Sequence, residues 1–331
     1  MKNYLWRSFM VAALICAFLP SVPAFASQEY VLKLSDTQPD GSSLLIHLRM
    51  FVELIEKKSN GRIKHEVFPS AMMGPSPAVV QQVQMGALDL FRTDVSVLYD
   101  FGVPSMQMMG LPFLFDSKEQ AQRVLYGPVG DRFLKDVDDA NINLKAIGWL
   151  IEPSRNLFLR NKRVASLDDV RGLKIRVPES EIFLATMAAF GISGTPIPWG
   201  EVYTSLQTGV VDGAENTLNT FNINRFDEVC RYIAMSQHNF NTCVMVMSKR
   251  NWDRMSPADQ ALIVECWKEA MAAYDAFAMK DDVESKELAS SRGVEIVEMT
   301  DRQKWVDAVK PLFDKYAADY QDVVAAIRAT K

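Results

Sequence analysis

The stretch "GLKIRVP", residues Gly172–Pro178, alternates Leu173, Ile175 and Val177 with Lys174 and Arg176. A period of two marks a strand with one buried face. Two charges at an edge facing water would be the ordinary outcome of such a pattern. Here, however, the strand runs straight into Pro178 and the polar "ESE". That puts Arg176 at a strand end opening into a loop, a place where α/β proteins commonly hold ligands.

Outward from this strand, the chain alternates strand and helix in both directions. "YVLKLSD" (Tyr30–Asp36) reads as a strand, followed by a polar turn and a helix whose Leu44, Leu48, Phe51 and Ile55 share one face and which closes at Asn60-Gly61. "RIKHEVFP" and "ALDLF" are further strands, and between them a helix starts with Ser76 at the N-cap and Pro77 at the first helical position. Ser117 and Gln120 form a capping box. "LKAIGWLIE" and "RNLFLRN" are two strand candidates, "VVDGAE" is another, and "CVMVMS" (Cys243–Ser248) is apolar enough to be buried on both faces. Ser256-Pro257 opens a helical pattern with no stop before about Ser290. Unbroken, it is about 50 Å long, longer than one domain is wide. No Gly/Ser linker separates the halves, so the expectation is an α/β protein of two domains joined by several chain crossings.

The N-terminus carries Lys2 and Arg7, an apolar run from Phe9 to Leu19, and the small-x-small site Ala24-Phe25-Ala26. This is the layout of a cleaved signal peptide over residues 1–26, too short to span a bilayer. Cys16 follows the bulky Ile15, so a lipid anchor is not expected. Removal of the leader takes the formal charge from -5 to -7. An acidic exported chain has no electrostatic reason to bind nucleic acid, and an anionic ligand would need a local cluster of positive groups. Cys230, Cys243 and Cys266 remain, an odd number, with either a Cys230–Cys243 bridge or buried free thiols open.

No Gly-x-Ser-x-Gly, His-Glu-x-x-His, P-loop or Gly-x-Gly-x-x-Gly motif occurs, and His47, His65 and His238 are dispersed. No catalytic residue, metal or cofactor is expected. What remains suits binding without chemistry. Arg176 ends one strand, Arg155 opens another, Arg92 interrupts "LDLFRTD", and Asn216 follows Glu215. An arginine fork meets a carboxylate through two parallel charge-assisted hydrogen bonds. Trp149, Trp199 and Phe221 are near in sequence and could wall a pocket.

The segments "SNGRIKHEVFPSAMMG", "QVQMGALDL", "LPFLF", "SRN", "KIRVP" and "EVYTSLQTGVVDGAEN", in this order, resemble the solute-binding proteins of tripartite ATP-independent periplasmic (TRAP) transporters, the DctP type. "FDEVCRY" and "MSKRNWDRMSPADQ" extend the likeness over nearly the whole mature chain. The resemblance implies a two-lobe periplasmic binding protein, type II-like, with crossing strands and a long helix spanning both lobes. On that plan residues 27–152 plus about 242–280 form lobe I, and 153–241 plus about 281–331 form lobe II. It also implies that Arg176 binds a ligand carboxylate, with Arg155 and Asn216 in the same site. "LDLFRTD" resembles the uronate-binding branch, which would put Arg92 on a sugar. Gln38, Thr93, Asp94, Glu215 and Asn219 are then expected hydroxyl partners. The "TDV" after Arg92 and "NTLN" after Glu215 depart from that branch. The expected ligand is a hexuronate or related sugar acid; the alternatives are a C4-dicarboxylate or other carboxylate, or a sensory binding module with the same fold and pocket. The expected partners are TRAP membrane permease subunits, and the expected state is a periplasmic monomer.

Overall fold

The computed structural model describes residues 30–330; the expected leader, with its Cys16, lies outside them. Nine strands, β1 (Tyr30–Ser35), β2 (Ile63–Phe68), β3 (Leu90–Asp94), β4 (Leu144–Leu159), β5 (Lys174–Val177), β6 (Ser193–Pro196), β7 (Gly213–Asn216), β8 (Tyr232–Ser248) and β9 (Glu295–Glu298), form one continuous hydrogen-bonded sheet among the described residues. The order is β2-β1-β3-β8-β4-β7-β5-β6, with β9 on the other end of β8.

Two long strands make the connection between the halves. The C-terminal part of β8 pairs with β3 and with the first part of β4, while the far end of β4 pairs with β7 and with the start of β8. "LKAIGWLIE" and "RNLFLRN", expected as two strands, are therefore one. Pro153, which cannot donate to a ladder, sits between them at a register shift from Ile151 to Ser154. "CVMVMS" likewise belongs to a strand that begins eleven residues earlier, at Tyr232, hidden in the sequence by the polar "SQHNFNT". Gln237 bends β8 with φ 42, and its N–H donates to Asn156 Oδ1 at 3.1 Å.

The helix Ser43–Lys58 buries Leu44, Leu48, Phe51 and Ile55 as its spacing predicts, and Ser42 caps it by accepting from Leu45 N. Helix Pro257–Ser291 is unbroken over 35 residues, with Ser256 as cap. Its first half packs with Leu48, Phe51 and Met245, and Ala289 near its end packs with Phe221 and Ile233. Two expectations about caps are corrected. The helix Ser76–Met85 is capped at Pro75, so Ser76 and Pro77 occupy its first two positions. Ser117 accepts from Gln120 N, but Gln120 Oε1 takes the N–H of Asp116 instead of closing a capping box. The methionine-rich stretch "PSMQMMGLPFLF", residues 104–115, is core, with Met106, Met108 and Met109 fully buried.

The C-terminal segment, expected in lobe II, divides its contacts. Trp305 packs edge-to-face against Phe190, with ring centres 4.7 Å apart, and Lys315 pairs with Glu181. The last helix, Gln321–Ala329, lies instead against the helices of the first half. Gln120 Nε2 donates to Ile327 O and Thr330 O, and Arg132 pairs with Asp322. The cause is its apolar face, Val323, Val324 and Ile327, which is buried in the same core as Val124 and Phe133. Cys230, Cys243 and Cys266 are free and buried. Cys230 belongs to a different core cluster from Cys243, so no bridge forms between them. Burial pushes the Cys230 thiol up to about 12, which suits an inert core residue.

Candidate functional site

Strand β5 is not an edge. Arg176 pairs in parallel register with Thr195 of β6 and with Ala214 of β7. Lys174, on the same strand face, reaches water, whereas Arg176, one step farther along, is only 3% exposed. The chain after β6 folds over it. Arg176 Nε donates to Ile197 O at 2.8 Å, and its Cζ lies 5.3 Å from the centre of the Trp199 ring. The rest of the guanidinium meets no carboxylate within ion-pair distance among the described residues and faces a cavity of about 330 Å³. Burial, the largest influence, pulls its pKa down to about 10; it remains a cation at neutral pH.

The opposite wall, with Arg92, comes from the other half of the sheet, and Arg155 lies where the two halves meet. β1 and β3 run parallel with Leu34 beside Leu90, so Asp36, just past the end of β1, comes beside Arg92. Arg92 Nε donates to Asp36 Oδ2 at 2.8 Å and Nη2 to Oδ1 at 3.2 Å. Its Nη1 lies 3.4 Å from Glu152 Oε1. The register shift in β4 brings Glu152 and Arg155, three residues apart, together on one residue of β8. Asn241 Nδ2 donates to Glu152 at 2.7 Å, and Asn241 Oδ1 accepts from Arg155 Nη1 at 2.8 Å. Arg155 also grips Glu215, Nε to Oε2 at 2.5 Å and Nη2 to Oε1 at 2.7 Å. Burial opposes a charge on Glu215, but the Arg155 guanidinium and His238 outweigh it and hold the carboxyl at about 2. Burial raises the Glu152 carboxyl, with Arg92 and Arg155 acting against it.

Of the expected residues, the fold brings Arg176, Arg155, Arg92, Asn216, Gln38, Trp199 and Asp94 to the cavity wall. Asn216 Oδ1 is taken by Thr217 N at 2.8 Å, which leaves the side-chain amide to face the cavity. Four expected residues are elsewhere. Thr93 is buried on the face of β3 opposite Arg92, as a period of two requires. Trp149 points into the core and donates to Gly130 O at 3.1 Å. Glu215 is fully buried behind Arg155. Asn219 turns to the long helix, with Nδ2 3.2 Å from Asp281 Oδ1. Phe221, a candidate wall, is core against Phe158. His238 is buried beside Ser236, 3.5 Å from Glu215.

Asp36, Glu152 and Asn241 were missed. Each is a polar residue breaking or ending an apolar strand, the same signal that singled out Arg176. The loop Ala71–Pro77 and the rim acids Glu179 and Glu201 were also missed, and no local pattern marks them. Among the described residues no cluster of His, Cys, Asp and Glu could hold a metal ion, and no helix is long and apolar enough to cross a membrane.

Known proteins share this architecture. A TRAP periplasmic solute-binding protein from Pseudomonas putida F1, solved with bound D-glucuronate, is 28% identical with a TM-score of 0.88, over 91% of this chain and 97% of its own. One from Xanthobacter autotrophicus Py2, with bound β-D-galacturonate, is 29% identical with a TM-score of 0.85, over 91% of this chain and 100% of its own. The 2,3-diketo-L-gulonate-binding periplasmic protein of Escherichia coli K12 is 26% identical, over 93% of each chain. The profile of "Bacterial extracellular solute-binding protein, family 7" (DctP) matches residues 34–319. The chain belongs to this family: it is a solute-binding protein of the TRAP type.

Proposed function

We propose that this protein captures a sugar acid, a hexuronate in the first place, by pairing its carboxylate with Arg176 and closing the two halves of the sheet around it. The observation that carries the reading is one buried guanidinium with no carboxylate partner among the described residues, aimed into a cavity between two walls. With Nε held by Ile197, the two Nη groups are free to donate in parallel to a carboxylate. The Trp199 ring flanks the guanidinium, and Gln38 and Asn216 bring amides suited to hydroxyls. The relatives solved with glucuronate and galacturonate support the ligand class.

β4 and β8 cross between the walls, so bending at their register shifts brings the walls together. Closure excludes water and strengthens the ion pair as the local dielectric falls. As in a solute-binding protein of this family, the ligand is held and released unchanged. The leader at residues 1–26 exports the chain to the periplasm, where the loaded monomer delivers its ligand to TRAP permease subunits. A direct test is a thermal-shift screen of the chain lacking the leader against D-glucuronate, D-galacturonate, D-erythronate and D-glucose. A ligand at 100 times its Kd stabilises by about 2.7 kcal/mol, a shift of a few degrees. Stabilisation by glucose and by none of the acids sinks the reading.

A further inference from the structure

We infer that the site accepts an acid with one carboxylate and rejects one with two, and that Asp36 and Glu215 set this limit without touching the ligand. The inference rests on the carboxylate reading above and adds the valence of the ligand to it. The cations lining the cavity are Arg92, Arg155 and Arg176, with no lysine or histidine among the described lining residues. Two of the three are already spent. Arg155 uses Nε and Nη2 on Glu215 and Nη1 on Asn241. Arg92 uses Nε and Nη2 on Asp36, and Nη1 is within 3.4 Å of Glu152 and 3.3 Å of Cys243 Sγ.

A first carboxylate finds the free end of Arg176. A second, elsewhere in the cavity, meets guanidiniums whose charge is already balanced by Asp36 and Glu215, with Glu152 beside Arg92. In a water-excluded space that repulsion is poorly screened. A hydroxyl meets no such barrier, because it both donates and accepts and carries no charge. Arg92, the residue that sequence likeness assigned to the sugar, thus acts as a neutral wall, its charge cancelled from behind.

The test is calorimetric titration of paired acids: D-glucuronate and D-gluconate against D-glucarate, D-galacturonate against galactarate, and D-erythronate against meso-tartrate. The expected result is that the best monoacid binds at least a hundredfold tighter than any diacid. A diacid binding within tenfold of the best monoacid overturns the inference and leaves the carboxylate reading standing. If no acid of either kind binds, that reading itself has failed. The variant Asp36→Asn keeps an oxygen for the Gln38 N–H that Asp36 Oδ1 now accepts, and releases Arg92. It should raise the affinity for diacids relative to monoacids at least tenfold; an unchanged ratio in a folded variant removes Asp36 from the role. Should Asp36→Asn fail to fold, Glu152→Gln makes the same comparison, with a smaller change in the same direction expected and an unchanged ratio again counting against the inference.

Discussion

Arg176 and Arg155 line one cavity, each 3% exposed, each reached by a strand that ends or shifts register there. Around Arg155 the interior supplies its own counterion: Glu215 takes two donors and Asn241 a third. Around Arg176 it supplies one backbone carbonyl and the face of a tryptophan. The first arrangement is finished without a ligand, and the second is completed only by one. Buried charge is therefore used twice here, once to hold the crossing strands in register and once as an unfilled valence. A buried ion pair contributes little net stability, but breaking one side leaves a stranded charge.

The comparison breaks most sharply at Arg155. Arg155→Ala strands Glu215, and we expect a loss of about 3–5 kcal/mol of stability in urea unfolding at pH 7. The same pair gives the wild type an acid-sensitive component. The Glu215 carboxyl is held near 2 against an ordinary value of 4.5. Its contribution is therefore full above about pH 4.5 and lost as pH falls toward 2, so the deficit of Arg155→Ala should narrow over that interval.

Arg176→Gln should do the converse. Acid binding weakens by about 2–5 kcal/mol in titration calorimetry, while the unliganded protein unfolds at the same or a higher temperature, since an unpaired buried cation has been removed. A large loss of stability in the absence of ligand would erase the distinction between the two arginines.

Asp282, on the long helix, provides a control outside the cavity. Burial raises its carboxyl to about 6, with Asp281 adding to the shift. A group raised in the folded state costs stability above its folded pKa and nothing below its ordinary value. Asp282→Asn is expected to stabilise by about 1–3 kcal/mol at pH 7 and by nothing measurable near pH 3.5, with ligand affinity unchanged. The smallest effect belongs to Asn219→Ala. Its amide faces Asp281 rather than the cavity, so affinity should stay within about threefold of wild type, a difference under 1 kcal/mol.

Local pattern carried much of the architecture. The alternation in "KIRV", the stripe Leu44–Ile55 and the Ser256-Pro257 start of a 35-residue helix are set by neighbours in sequence, and each stands as the pattern implies. Period two also explains one of the misses. Arg92, Thr93 and Asp94 were grouped by proximity along the chain, although adjacent residues of a strand point to opposite sides. β4 and β8 were read short because polar residues at the cleft interrupted their apolar pattern; of those interruptions Arg155 and Asn241 line the cavity, and Glu152 holds Asn241 from behind.

The sequence by itself determined the family, the alternation of strands and helices, and the presence of an arginine at the end of a strand facing a loop. Tertiary structure alone decided which arginine is free. Whether a guanidinium has a counterion depends on pairings between residues 56 or 60 positions apart, Asp36 with Arg92 and Arg155 with Glu215, and on a register shift at Pro153 that turns two strand faces into one. Those pairings follow from strand order and register, and these are set by the packing of the whole sheet.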